Sequence, residues 1–227
     1  MKNTLTVLSC TIISSLLIGC GESDSPFAAG GISSGTNIVS EKNFNLAYDN
    51  GNPPVLSGTG IDTSVQVVAT FSAADKSGLA ASGATAYLEV DWGTLSAKSC
   101  TINASGNCSI TWTANANNNT QFIPGDERIT FTGWVLGEES YSDLNGNGTF
   151  DDGDIFINDS SGPFLDLDHS GDFSAGDQIL TPGNLNGQLT AADGLFNGTD
   201  CNHSSLCSTT TQIYISDRDI LSIREAP

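Results

Sequence analysis

The chain has 227 residues, of which 26 are acidic and 7 are basic, so its formal net charge is −19. A charge this negative makes nucleic acid and anionic lipid surfaces poor partners. The length suits one large domain or two small ones, and 25 glycines with only 7% aromatic residues are typical of a loop-rich β protein outside the cytoplasm.

The first 19 residues have the pattern of an export signal. Lys2 precedes an apolar run from Leu5 to Ile18 that contains no acidic residue. The run is shorter than the ~20 residues that a membrane span needs, which disfavours an uncleaved anchor. We therefore expect residues 1–19 to be a signal peptide that is removed.

The signal ends in the sequence Leu-Ile-Gly-Cys, which resembles the lipobox of bacterial lipoproteins. The resemblance implies a lipid anchor on Cys20, and Gly21 after it is compatible with sorting to the outer membrane. We expect an outer membrane lipoprotein of the cell envelope, facing the periplasm or the surface. Residues 20–42 are rich in Gly, Ser and Ala and lack periodicity, which predicts a flexible tether. Cleavage would remove one base, Lys2, and no acid, so the formal charge becomes −20.

From Asn43 onward the pattern is one of strands, because apolar and polar residues alternate or are β-branched. The predicted strands are Phe44–Tyr48, Ser64–Phe71, Thr85–Val90, Cys108–Thr113, Arg128–Val135 and a last one within Thr211–Ile223. Short strands without a convincing amphipathic helix indicate an all-β antiparallel sandwich. If the last strand lies beside Arg128–Val135, the chain between them is one long excursion that needs its own internal organisation.

This excursion contains one pattern written twice, as SDLNGNGTFDDGD and LDLDHSGDFSAGD, with a spacing of 23 residues. Each copy fits a calcium-loop template with oxygen ligands at loop positions 1, 3, 5, 7, 9 and 12. The predicted ligands are Asp143, Asn145, Asn147, the Thr149 carbonyl, Asp151 and Asp154 in the first loop, and Asp166, Asp168, Ser170, the Asp172 carbonyl, Ser174 and Asp177 in the second. Oxygen-only ligands favour Ca²⁺ over zinc or copper, and the many carboxylates favour it over magnesium.

Other positions of the repeat support the same interpretation. Gly148 and Gly171 stand at position 6, where the chain must turn sharply around the ion. Phe150 and Phe173, at position 8, can point away from the ion and anchor each loop to a core. Position 12 is Asp rather than the Glu of an EF-hand, and the flanking segments lack helix-forming runs. We therefore expect calcium loops without EF-hand helices.

The alternative is that these Asp-Gly and Asn-Gly clusters are ordinary turns without a metal. Charge argues against it, because no Lys or Arg lies between Arg128 and Arg218, whereas many Asp and Glu residues do. Packing so many carboxylates into a compact fold without a cation is opposed by their mutual repulsion.

Two stretches carry a resemblance to a known family. LSAKSCTINASGNCSITWTA and GDERITFTGWVLGEESYSDLNGNGTFDDGD resemble bacterial Ig-like domains of the invasin/intimin type, in a variant of Gram-negative lipoproteins with an acidic insertion. The resemblance covers residues 43–227 and implies an Ig-like sandwich that serves as a stalk or binding module, with a calcium-binding insertion at 138–210. The first loop also resembles dockerin-type loops, although the helix expected after it is missing.

Four cysteines remain once Cys10 in the signal and the lipidated Cys20 are set aside. An even number in an exported chain predicts two disulfides, for which three connectivities are possible. We favour the two local pairs, Cys100–Cys108 and Cys201–Cys207. A redox pair is disfavoured because no Cys-x-x-Cys motif occurs.

Catalysis has little support in the sequence. The only histidines are His169, inside the second loop, and His203, between two cysteines, where we expect an exposed side chain. No nucleophile-elbow, zinc-protease or phosphate-cradle motif occurs. Asp151 and Asp152 could mimic the acid pair of a hydrolase, but such a pair needs a cleft, and ligation is the better use for them.

The sequence therefore predicts a non-enzymatic protein that acts in adhesion or cell-surface structure, with a protein or surface glycan as its partner. The alternative is an accessory lipoprotein that faces the periplasm and docks with a pilus or secretion component through the acidic insertion.

Overall fold

Strands form almost all the regular structure of the residues that the computed structural model describes, 37–57, 60–115, 127–157, 160–180 and 192–225. One sheet contains β1 (Val39–Ser40), β6 (Thr85–Val90), β8 (Ser99–Thr101), β10 (Arg128–Glu138) and β15 (Ile213–Ser222). The second contains β2 (Phe44–Tyr48), β5 (Gln66–Ala73), β7 (Thr94–Leu95) and β9 (Asn107–Thr113). The two sheets form the predicted all-β sandwich.

Three two-stranded ribbons complete the regular strand structure of the described residues. They are β3 (Leu56–Ser57) with β4 (Gly60–Ile61), β11 (Tyr141–Ser142) with β12 (Ile155–Phe156), and β13 (Phe164–Leu165) with β14 (Gln178–Ile179). The only helical element in the described ranges is a short 3-10 turn at Glu41–Asn43. No helix within those ranges is long and apolar enough to cross a membrane.

The predicted strands are confirmed, with shifts of two to three residues at some ends. β15 pairs antiparallel with β10 along its whole length, from Arg128 opposite Ser222 to Gly137 opposite Ile213. The chain between β10 and β15 is therefore one long insertion before the last strand of the sheet, as predicted.

The predicted signal peptide, Cys20 and most of the predicted tether lie outside the described residues. The tether was expected to reach residue 42, but Val39 and Ser40 already form β1, which runs parallel to β10. Val39 is fully buried in the sandwich core, so burial fixes the chain before the predicted boundary. Two paired residues are too few to show a strand periodicity in the sequence.

The core lies between the two sheets and follows from alternation along the strands. On β5, for example, Val67, Ala69, Phe71 and Ala73 are buried and the residues between them are not. Gly133 on β10 faces this row, and a Cβ there would lie 2.3 Å from Phe71 Cε1. The Phe71 ring therefore packs directly against the backbone of β10.

Both predicted disulfides are confirmed. Cys100–Cys108 joins β8 of the first sheet to β9 of the second, and Cys201–Cys207 closes a short loop in the insertion. The first bond cross-links the two sheets, and the second constrains a segment that lacks regular strands.

One edge of the sandwich contains a carboxylate with an unfavourable charge. Asp217 Oδ2 accepts the backbone N–H of Leu46 at 2.7 Å and so links β15 to β2. Burial and the nearby Asp219 carboxylate raise the pKa of Asp217 above its ordinary value. The folded state therefore binds this proton more tightly than the unfolded state does. The resulting contribution to the free energy of unfolding is lost as the pH rises through the folded pKa.

Asp217→Asn is expected to raise the melting temperature at pH 7, because the amide oxygen still accepts the Leu46 N–H and no charge is buried. The gain is about 0.5 kcal/mol after allowance for solvent screening, and it shrinks toward zero below about pH 4, where the wild-type carboxyl is protonated in both states. Melting curves across this pH range test it. A gain that stays constant with pH would show that charge burial is not its cause.

Candidate metal centre

The sequence repeat is also a repeat in the structure. Each copy is a two-stranded ribbon that closes on a twelve-residue loop, residues 143–154 between β11 and β12 and residues 166–177 between β13 and β14. Tyr141 pairs with Phe156, and 23 residues later Phe164 pairs with Ile179. Strands rather than helices flank both loops, which confirms that they are not EF-hands.

The acid at position 1 organises each loop in the same way. Asp143 accepts the backbone N–H groups of Asn147 at 3.3 Å and Gly148 at 2.7 Å. Asp166 accepts those of Ser170 at 3.1 Å and Gly171 at 2.7 Å. In both loops the first carboxylate therefore lies inside the turn, bonded to positions 5 and 6.

The acid at position 12 closes each loop, again identically. Asp154 accepts the N–H of Leu144 at 2.9 Å, and Asp177 accepts that of Leu167 at 2.8 Å. The other oxygen of each carboxylate accepts the N–H at position 9, at 3.0 Å and 2.6 Å respectively. These bonds bring the last acid next to the start of the loop. A shorter Asp can therefore serve where an EF-hand has Glu.

The backbone turns at the same two positions in both copies. Gly148 and Gly171, at position 6, have φ of 75° and 90°. Position 4 also has positive φ, with 74° at Gly146 and 56° at His169. A Cβ is tolerated at position 4 of the second loop in a conformation that usually selects Gly or Asn.

The second loop brings three carboxylates together. Oxygens of Asp166, Asp168 and Asp177 lie within 4.8 Å of one another, although Asp166 is only 1% exposed. The two predicted serine ligands join the same network: Ser174 Oγ donates to Asp168 at 3.0 Å and Ser170 Oγ donates to the Asp172 carbonyl at 2.9 Å. All six predicted ligand residues of this loop thus share one hydrogen-bonded cluster.

The first loop gathers its predicted ligands differently. Asn145 and Asn147 donate their side-chain N–H groups to the Asp151 carboxylate at 3.0 and 2.7 Å. Their amide oxygens accept the N–H groups of Asn147 and Thr149 and keep a lone pair for a cation. No three acids of this loop meet as closely as those of the second, and position 3, an acid in the second loop, is Asn145 here.

Hydrogen bonds lower the pKa of one predicted ligand in each loop. Burial alone would raise the pKa of Asp143, but backbone N–H groups led by that of Gly148 bring it below its ordinary value. Side-chain bonds from Ser170 and Ser174 lower the pKa of Asp168. Asp143 and Asp168 therefore present anionic oxygen at neutral pH, which a hard cation requires.

Two cations from distant strands and turns enter the insertion, which the sequence did not reveal. Lys76 Nζ donates to the Gly148 carbonyl at 2.8 Å and pairs with Asp200 at 2.5 Å. Arg218 lies 3.4 Å from the Asp166 carboxylate and stacks over the Phe164 ring. The sequence between Arg128 and Arg218 therefore suggests a larger excess of negative charge than the folded insertion has, because each loop is contacted by one base from outside it.

The two position-8 phenylalanines have different environments. Phe150 is fully buried and packs with Tyr141, Phe156 and Phe196, which confirms its predicted anchoring role. Phe173 is 42% exposed and meets only the edge of Phe164 among the described aromatic rings. The repeat therefore preserves the loop but not its supporting core.

Both histidines contact acids near the loops. His203 was expected to be exposed, but its side chain is only 15% exposed, stacks on Phe150 and lies 3.4 Å from Asp152. His169 Nε2 lies 2.9 Å from Asp91 Oδ2, and both side chains are buried. The second contact ties the second loop to the turn after β6, and the separation of 78 residues explains why no sequence signal showed it.

The second disulfide supports the first loop directly. The Phe150 N–H donates to the Asp200 carbonyl at 2.9 Å, and the Asn202 N–H donates to the Phe150 carbonyl at 2.7 Å. Cys201 lies between these two bonds, so the disulfide segment and position 8 of the first loop form one unit.

Replacing Cys201 and Cys207 by Ala is expected to weaken calcium binding at the first loop and leave the second unchanged, because only the first rests on this segment. Opening the loop removes about 2 to 3 kcal/mol in the chain-entropy model. Calorimetric titration of calcium measures the effect. The matched control, with Cys100 and Cys108 replaced, should lose stability but keep both affinities; weakening of both sites in the first variant would contradict the coupling.

Comparison with family models, curated proteins and solved structures finds no match to this chain. The resemblance to Ig-like and dockerin-type sequences therefore stays a prediction, and function has to be argued from the residues themselves.

Proposed function

We propose that this chain is a non-enzymatic, lipid-anchored protein of the bacterial cell envelope that acts in adhesion or surface structure. Its Ig-like sandwich presents an insertion that two Ca²⁺ ions hold in shape. The lipid on Cys20 and the predicted tether after it would keep the sandwich at the outer membrane.

The proposal that the insertion binds calcium rests on the matching hydrogen bonds of the two loops. Their first and last acids bond the same backbone positions with nearly the same distances, although six of the ten residues between them differ. In the second loop Asp166, Asp168 and Asp177 already converge on one point. The predicted ligands offer only oxygen atoms, which suits Ca²⁺, and Arg218 lies 3.4 Å from the Asp166 carboxylate of this group.

Ion binding also explains how the insertion is ordered. More than seventy residues separate β10 from β15, and their regular structure in the described ranges is limited to two-residue strands. A site that forms only in the folded chain adds its binding free energy to folding. Calcium and the Cys201–Cys207 bond would together stabilise a segment with few ladder hydrogen bonds.

The two histidines, which are the candidate catalytic groups, already contact other side chains. This favours a binding role over catalysis. His169 is paired with Asp91, and His203 lies against Asp152 and Phe150. Asp152 also accepts the backbone N–H of Ser204 at 2.8 Å, so these acids are held in pairs and turns rather than placed as an acid and base across a cleft.

Two measurements on intact cells test this proposal. Cys20→Ala should abolish metabolic labelling with fatty acid and release the protein from the membrane. Protease added outside should digest the wild-type protein. Resistance until the outer membrane is opened would contradict a surface role and favour the periplasm-facing accessory protein, and labelling that survives in Cys20→Ala would overturn the anchor.

A further inference from the structure

The second loop is contacted by a cation that belongs to the sandwich. Arg218 on β15 lies opposite Thr132 of β10, and Thr132 Oγ1 donates to the Phe164 carbonyl of the second ribbon at 3.1 Å. The Arg218 guanidinium lies 4.0 Å from the centre of the Phe164 ring and 3.4 Å from Asp166 Oδ2. The first sheet therefore places a positive charge beside a predicted calcium ligand.

The surroundings of Arg218 direct its charge toward this ligand. The other charged side chain opposite Thr132 is Glu89, on β6, and it pairs with Lys98. The Arg218 side chain is 26% exposed, and the Asp166 side chain with which it pairs is 1% exposed. Because water has little access to the Asp166 carboxylate, it screens this pair less than a pair on the open surface.

The base that reaches the first loop makes a different contact. Lys76 donates to the carbonyl of Gly148, which is not a predicted ligand, and pairs with the carboxylate of Asp200. Each loop contributes three carboxylates to its predicted ligands, namely Asp143, Asp151 and Asp154 in the first and Asp166, Asp168 and Asp177 in the second. The two ligand sets therefore carry equal formal charge, and the second has a base on one of its carboxylates.

We propose that Arg218 regulates the second loop by lowering its affinity for calcium. The proposal rests on the calcium binding proposed above. Ca²⁺ held by the second loop would share Asp166 with the guanidinium, and the two positive charges repel each other. In calcium-free protein the same guanidinium offsets part of the repulsion among three carboxylates whose oxygens lie within 4.8 Å.

Arg218 thus acts in opposite directions on the two states of the loop. It stabilises the calcium-free loop and opposes the calcium-bound one, so it raises the calcium concentration at which the loop fills. Extracellular calcium modules have dissociation constants of about 10⁻⁴ to 10⁻³ M, and a nearby base moves a site of three carboxylates toward that range. A residue of the last strand therefore sets the response of the insertion to calcium.

Calorimetric titration of calcium into purified Arg218→Gln protein tests the proposal. The substitution removes the charge and keeps a polar side chain, so the second site should bind Ca²⁺ about three- to tenfold more tightly. Arg218→Lys keeps the charge and should retain nearly the wild-type affinity. The titrations are repeated in an Asp143→Ala background, where the remaining heat reports the second site.

The matched control is Arg224→Gln, which removes the same charge from another part of the chain. The Arg224 guanidinium donates to the backbone carbonyls of Asn52 and Glu225. This variant should leave the affinity of both sites unchanged. A gain in affinity as large as that of Arg218→Gln would show that net charge is the cause and would overturn a specific role for Arg218.

Thermal melts distinguish regulation from a purely structural role. In chelator, Arg218→Gln should melt at a lower temperature than the wild type, because three acids lose a neutralising partner. In saturating calcium this difference should narrow or reverse. Loss of packing on Phe164 would instead lower the melting temperature equally in both conditions.

Two kinds of failure can be told apart. If the wild type binds calcium and Arg218→Gln binds it no more tightly, or if the losses in melting temperature are equal with calcium and with chelator, the role of Arg218 is overturned and calcium binding stands. Absence of calcium binding in the wild type and in every variant would overturn the proposed metal sites and the role of Arg218 together.

Discussion

Asp166→Asn is expected to remove most of the calcium-dependent stabilisation of the second loop. Asp166 is buried, lies within 4.8 Å of the two other acids and bonds the turn at Ser170 and Gly171. The amide keeps one oxygen for the turn but loses the charge that a cation needs. We expect a loss of about 2 to 3 kcal/mol in saturating calcium, or roughly 5 to 10 °C in melting temperature for a domain of this size.

The matched control is Asp172→Asn, which removes the same charge from the same loop. Only the backbone carbonyl of Asp172 is a predicted ligand, and its side chain is exposed. This variant should keep nearly the full gain in melting temperature on calcium addition. Equal losses in both variants, or equal loss of Asp166→Asn with calcium and with chelator, would mean that the acid has a purely structural role.

Phe150→Ala is expected to be the most damaging single change in the insertion. The ring is fully buried and touches Tyr141, Phe156, Phe196 and His203. Its removal leaves a large cavity at a site that also supports the first loop, which costs about 3 to 5 kcal/mol. Denaturant unfolding measures this loss, and a calcium titration should show weaker binding at the first site.

Phe173→Ala is the internal comparison, because it changes the same position of the second copy. Its ring is 42% exposed and has one aromatic neighbour in the described chain, so the expected loss is under about 1 kcal/mol. Similar losses at the two positions would contradict the different packing of the two loops.

The sandwich could be predicted because its signals are local. β2 and β6 occupy the predicted residues, and the last strand pairs with β10 as expected. Alternation of apolar and polar residues reports which face of a strand is buried. The two disulfides followed from short spacings in the same way.

The two loops could also be predicted from the sequence. Their conformation depends on nearby residues, so Asp, Asn and Gly recur at fixed positions in both copies. The side on which each ribbon packs could not be predicted. Ser142 replaces Leu165, and the Phe196 segment covers Phe150, so the first ribbon packs through Tyr141, Phe150 and Phe156 alone. Such a choice depends on residues more than forty positions away.

The contacts that complete the loops are also distant in sequence. Lys76 reaches Gly148 across 72 positions, and Asp91 reaches His169 across 78. The sequence around a single charged residue in a turn, such as Lys76 or Asp91, does not indicate which distant residue it contacts. Charge counting within one segment was misleading for the same reason.

Calcium binding at the two loops is the central prediction for this protein. Calorimetric titration of calcium into the chelator-treated protein, with a thermal melt before and after, tests this directly. We predict two binding sites and a clear rise in melting temperature, with Asp143→Ala and Asp166→Ala each removing one site. Absence of binding heat together with an unchanged melting temperature would contradict the account and identify both loops as solvated turns.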